Sequence, residues 1–388
     1  MSAASLLLAA LVWHGAHDIA TGGGERGPWR QNDSRYDYVD DPTVALDEKG
    51  DAAVAWVDQG KKDVFYNAVN VSRSPETFSW LPRIALAGER VFVLWQEIIF
   101  SGGSHGGDIL FARSENAGNT FSAPLNLSES LAGDGKGRIT RELWHNGSLD
   151  LAAAPDGTLY AAWTEYEGTL WLRRSTDGGR TFLGKQRIAG GDSNPTRGPS
   201  LVIGANGVVH LAWTDGDIHV ASSTDGGVRF GAPRRVTRSR GYTDAPKLAL
   251  DSDGTLHLVY AEDGRVLYAR SPNLHEARAV SGAGAGFPAL AVDGERGVYV
   301  TFELFPNRNQ RPRGLGIAVS RNGGRSFSPA EPIPGSAAPD GAPNGSFQGL
   351  LMDKLAVNRR GDVAVVNSSL NEGKGSRVWV IRLSQDGR

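Results

Sequence analysis

The sequence predicts an all-β chain folded as a seven-bladed β-propeller of four-stranded antiparallel blades, with six blades as the alternative count. Three observations predict it. One short pattern, Ser-x-(Asp/Asn)-x-Gly-x-(Thr/Ser/Arg)-Phe, occurs at 114–121, 175–182, 223–230 and 320–327. A longer module, present at 42–58, 82–97, 148–165, 199–215, 246–262, 288–303 and 353–367, accompanies it. Most copies have an apolar strand opening on proline, a turn with glycine, a second alternating strand, and an aromatic followed within two residues by a carboxylate. Finally, the 51 glycines and 19 prolines punctuate short apolar runs, as an all-β chain with many turns requires.

Alternation of period two makes each half of the module a strand, and the Asp-Gly or Asn-Gly between the halves makes the pair a hairpin. The clearest copies open on Pro199-Ser200-Leu201-Val202 and Pro246-Lys247-Leu248-Ala249-Leu250; the copy at 353–367 has lost both proline and carboxylate. An apolar run such as Ile218-His219-Val220-Ala221 gives a third strand, and the stretch after the Phe gives a fourth. Units recurring roughly every 40 to 65 residues read as blades. Within the short pattern, the Asp or Asn accepts hydrogen bonds from its own turn, glycine supplies the positive φ, and the Phe folds under the turn as an apolar plug. The seventh unit stops inside a partial copy of this turn, at 384–388. A strand from the N-terminal stretch, either near 6–12 or around Trp29, is expected to complete that blade and remove free edges.

Repeat architectures of 388 residues can form a single body, so 21–388 is taken as one propeller domain. Residues 1–20 are either a secretory leader, given the apolar run at 3–12, or the closing strand. The leader reading implies a location outside the cytoplasm, and a monomer is expected. A net charge of −2 with no long charged block gives no reason to expect nucleic acid as a partner. The absence of cysteine excludes disulfides and thiol chemistry. No segment is long enough to span a bilayer, no His, Cys and carboxylate spacing makes a metal site, and no cofactor motif is present.

In a four-stranded meander the short-pattern turns lie on one end, while the loops between second and third strands and between blades lie on the other. Chemistry is therefore sought on the second end, where several loops are longer than a hairpin needs. A residue repeated in most blades is architectural, so Asp58, Glu97, Glu165, Asp215, Glu262 and Glu303 are read as capping strand exits. Trp56, Trp95, Trp163, Trp213, Tyr260 and Phe302 are read as packing between blades. The position two residues before the repeat proline varies more: Asp40, Trp80, Asn146, Arg197, Asp244, Gly286 and Leu351. Charges converging at a channel mouth are costly to desolvate unless paired or used on a ligand. Asp40 and Asp244 are therefore candidate catalytic carboxylates, and Arg197 a candidate for binding an anionic substrate. Arg141, Glu142 and His145 in one long loop, and Tyr242 two residues before Asp244, complete the candidate set. Tyr242 and His145 carry catalytic roles, Arg141 and Glu142 substrate-binding ones.

The four short patterns resemble the Asp-box, or BNR, hairpin of sialidase-like propellers, and at the level of fold the resemblance covers nearly the whole chain. It implies an enzyme of the glycoside hydrolase kind acting on an acidic carbohydrate. The alternatives are a polysaccharide lyase on uronate-containing glycans and a propeller that binds glycan or protein without catalysis. Sialidases grip the substrate carboxylate with three arginines, the first in an Arg-Ile-Pro motif, and use a Tyr–Glu pair and an Asp acid/base. Here the first unit reads Asp40-Asp41-Pro42, the nearest match is Arg197-Gly198-Pro199, and Ser346-Phe347-Gln348-Gly349-Leu350 supplies no tyrosine. Sialidases also have six blades. In the hydrolase reading Asp40 and Asp244 flank the glycosidic bond. In the lyase reading His145 or Tyr242 is the base and Arg141 or Arg197 faces the sugar carboxylate.

Overall fold

A computed structural model describes residues 12–384 apart from 29, 31, 32, 102, 103, 131–147, 166, 167, 192 and 239–242. It is a seven-bladed propeller of four-stranded antiparallel blades. The innermost strands are Val39–Leu46, Phe78–Ala87, Leu149–Ala153, Arg197–Ile203, Thr243–Leu250, Ala285–Val292 and Leu355–Val357 in blades 1 to 7. Each touches the next in chain order, and the seventh touches the first, so the ring is closed.

Blade 7 is completed from the other end of the chain. Its third strand, Gly375–Ser384, pairs with Val12–Trp13 and His17–Gly22. The outer strand thus starts at the last residue of the 6–12 stretch and ends before Trp29, and the boundary at 20/21 falls inside it. The Asp18 carboxylate accepts a hydrogen bond from Arg377 Nε (2.9 Å) across this junction.

The apolar pattern explains why the blades stack. Among the described residues seven buried clusters are found, one at each interface between neighbouring blades. The second strands are near-continuously apolar because both of their faces are covered. Val91, Val93 and Trp95 meet blade 1, while Phe92 and Leu94 meet blade 3. The repeated aromatic always turns toward the preceding blade: Trp56, Trp95, Trp163, Trp213, Tyr260 and Phe302 each fill such an interface.

The four short-pattern turns share one hydrogen-bond scheme. In blade 3, Ser175 Oγ donates to Asp177 Oδ1 (2.8 Å) and accepts the Gly179 N–H, while Asp177 Oδ1 accepts the Thr181 N–H (3.0 Å). The Thr181 hydroxyl and N–H, with the Ser175 hydroxyl, hold the Asp177 carboxyl below the usual range. The Phe that closes the turn reaches further than its own hairpin. Phe121 packs on Tyr66, Phe182 on Phe111 and Phe327 on Tyr268, each an aromatic of the preceding blade. The turn is thus a clasp between blades, at the end remote from the candidate face. No helix among the described residues is long and apolar enough to cross a membrane.

Candidate ligand-binding site at the hub

The inner strands of five blades carry a bulge that decides which side chains face the axis. The residue before the repeat proline has positive φ in blades 1, 2, 4, 5 and 6: Asp41 (52°), Leu81 (56°), Gly198 (62°), Ala245 (50°) and Phe287 (48°). Strand register shifts at the same places. An extra residue in one strand bends it and re-aims the side chains that follow. The hub cavity is consequently lined by the residues next to the proline, including Gly198, Ala245, Phe287, Arg83 and Lys247. Arg197, Asp244 and Gly286, two residues before the proline and expected at the channel wall, are set back from it.

Arg197 and Asp244 nevertheless meet. Arg197 Nε donates to Asp244 Oδ1 at 3.2 Å, with side-chain exposures of 13% and 39%. The Ala245 N–H holds the same oxygen (2.8 Å), so the carboxylate is braced by its own bulge. Blades 4 and 5 thus present a neutralised pair at the rim.

Asp40 lies elsewhere, fully buried beneath the loop that precedes the seventh inner strand. Its Oδ1 accepts the Ser368 hydroxyl (2.6 Å), and Oδ2 accepts the Ser346 N–H. Cβ atoms placed on Gly345 and Gly349 would come within 2.1 and 2.7 Å of Asp40 Oδ1, which shows how closely this loop wraps the carboxylate. Asp40 therefore acts as an anchor for the 345–349 loop. Tyr242, His145, Arg141 and Glu142 lie outside the described residues.

The repeated carboxylates anchor strand exits. Glu97 accepts hydrogen bonds from Trp95 Nε1 (3.1 Å) and the Ser74 hydroxyl (3.0 Å), and burial raises its pKa. Glu303 pairs with Lys354 at 2.5 Å, both almost wholly buried. Asp41 differs. Its Oδ2 accepts the Leu81 N–H (3.1 Å), but Oδ1 is buried without a hydrogen-bond partner. Burial and the adjacent Asp40 push its pKa well above the ordinary carboxylate value.

Deeper in the ring, four charged groups converge from separate blades. Asp353 (blade 7) lies 3.3 Å from Arg83 Nε (blade 2) and forms an ion pair with Lys247 (blade 5). Asp150 (blade 3) is buried beside them, its Oδ2 accepting the Leu201 N–H of blade 4 (2.6 Å). Burial, reinforced by Asp353 and opposed by Lys247 and Arg83, pushes Asp150 up to about 6. Burial opposes ionisation of Asp353 as well, but Lys247 and Arg83 outweigh it and leave its carboxyl below the usual range. The adjoining cavity is about 40 Å³, enough for a few water molecules. Among the described residues, no group of three or more His, Cys, Asp or Glu is arranged to hold a metal ion.

Three of its four groups, Arg83, Asp150 and Lys247, lie one place after the repeat-proline position, not two before it. Thr43, Arg83, Asp150, Ser200, Lys247, Ala289 and Lys354 occupy equivalent places in the inner strands. Four charges at a strand position expected to be buried would have flagged it.

No protein-family model and no curated protein matches the sequence. Solved structures do. An ulvan lyase, a polysaccharide lyase, superposes with a TM-score of 0.57 at 11% identity over 95% of each chain. A protein of unknown function from Dyadobacter fermentans gives 0.55 at 14% identity, over 81% of this chain and 97% of that one. An α-L-arabinofuranosidase from Fusarium graminearum gives 0.52 at 12% identity, over 80% and 94%. At these identities the likeness is one of fold.

Proposed function

We propose that this propeller binds an acidic carbohydrate at its loop-bearing end, with Arg197 receiving the saccharide carboxylate. The observation that carries the reading is the Arg197–Asp244 pair at the inner rim. Arg197 already holds one carboxylate through Nε, and the planar fork of a guanidinium matches the carboxylate of a uronate. Asp244 is the more exposed partner, so an incoming carboxylate can take its place at Arg197 and leave Asp244 to solvent. Two of the solved propellers of similar fold are carbohydrate-active enzymes by description, which supports a saccharide as the ligand class.

Binding has more support than hydrolysis. Glycoside hydrolysis needs two carboxyl groups facing each other across the scissile bond, one of them protonated. Asp244 is paired with a cation, and both oxygens of Asp40 are engaged in anchoring a loop. Elimination would run through Tyr242 or His145 as base.

A glycan array followed by calorimetry with oligouronates tests the proposal, with parallel assays for reducing ends and for ultraviolet absorbance of unsaturated uronates. Saturable binding, weakened at least about tenfold in Arg197→Ala, is expected without turnover. Release of reducing ends or unsaturated product would replace it with an enzymatic reading. Binding that is unchanged in Arg197→Ala would remove Arg197 from the site.

A further inference from the structure

We propose that the hub cavity is a binding site for a small monovalent anion, such as a halide or a small free carboxylate, held between Arg83 and Lys247. Both cations line the cavity, and no acidic side chain does. Its remaining wall is polar only at Ser148 and is otherwise built from apolar groups such as Phe287, Leu351 and Met352. At about 40 Å³ it has room for a small ion.

Charge balance gives the reason for an anion. Arg83 and Lys247 share one ion-paired carboxylate, Asp353. Arg83 is 5% exposed; Nη2 donates to the Leu351 carbonyl (2.8 Å), while Nε, though near Asp353, has no hydrogen-bond acceptor. The second carboxyl, Asp150, spends its oxygens on the Leu201 and Leu151 N–H groups and makes no ion pair with either cation. A buried charge left uncompensated is costly. When Asp150 is ionised the four side chains are neutral; when it is protonated they carry one net positive charge, which the anion offsets.

Proton and anion therefore bind together. The charged groups facing Asp150 are Asp353, Lys247 and Arg83, and their balance, with burial, puts its proton uptake at about pH 6. Anion affinity is greatest below that pH and falls by about tenfold per unit above it. A chain that binds no saccharide can still hold this ion, so the two proposals fail separately.

Crystals soaked in bromide at pH 5.5 and at pH 8, together with bromide line broadening in solution, provide the test. The expected result is an anomalous peak between Arg83 and Lys247 at pH 5.5 that fades at pH 8. Lys247→Met should abolish peak and broadening. Asp150→Asn, an uncharged isostere that guards against a folding failure in Lys247→Met, should bind bromide at pH 8 as tightly as the parent does at pH 5.5. An empty cavity at pH 5.5, or equal affinity at the two pH values, would overturn the proposal.

Discussion

Gly323 and Gly324 show what a single side chain decides in this fold. Both lie in the blade 6 turn with positive φ, at 67° and 73°. A Cβ on Gly323 would meet nothing within 4 Å, whereas one on Gly324 would lie 1.7 Å from Tyr268 Oη in blade 5. The equivalent glycines crowd the preceding blade in the same way: Gly118 against Tyr66, Gly179 against Phe111 and Gly227 against Tyr160. Conformation and close approach are thus separable. Gly323→Ala should cost about 1 kcal/mol for the left-handed backbone alone, and Gly324→Ala about 3 kcal/mol because overpacking adds to it. Equal losses in denaturant titrations would show that the clasp between blades is unimportant. The glycines were legible in the sequence. Their neighbours were not, because Tyr268 and Gly324 belong to different repeats.

At the scale of elements, the loop 345–349 and the bulged inner strands determine the candidate face. Asp40 satisfies the Ser346 N–H and the Ser368 hydroxyl from beneath the loop. Removing it leaves two buried donors without an acceptor, each costing about 1–3 kcal/mol. Asp40→Ala should lower stability by roughly 2–4 kcal/mol and raise amide exchange across 345–351, while Asp40→Asn, which retains one acceptor oxygen, should lose less. Exchange confined to other blades would show that Asp40 is not the anchor. The sequence identified Asp40 as an exceptional member of its column but could not say why. A partner more than 300 positions away had to be placed against it first. The bulge hid Arg83 and Lys247 for a related reason: uninterrupted alternation assigns faces by counting, and one extra residue changes the count.

At the scale of the molecule, closure of the ring depends on Val12–Trp13 and His17–Gly22 pairing with Gly375–Ser384. Trp13 packs against the core between blades 6 and 7, and Ile19 and Ala20 against that between blades 7 and 1. Without residues 12–22, the edge of Gly375–Ser384 would be unpaired and two apolar interfaces thinned. Such a variant should melt roughly 5–10 °C lower and be cut by protease first in blade 7. An unchanged melting point would show that the other five interfaces hold the ring unaided.

The sequence by itself indicated seven blades, with six as the alternative, and determined the strand order within a blade and the aromatic seam between blades. All three follow from local periodicity and from a pattern repeated along one chain. Tertiary structure decided which charges meet. It paired Arg197 with Asp244, buried Asp40, and drew Arg83, Asp150, Lys247 and Asp353 to one hub from four blades. The reason is geometric: the repeat fixes each strand's place in the circle, but the distance between side chains across it depends on bulge, rotamer and burial together.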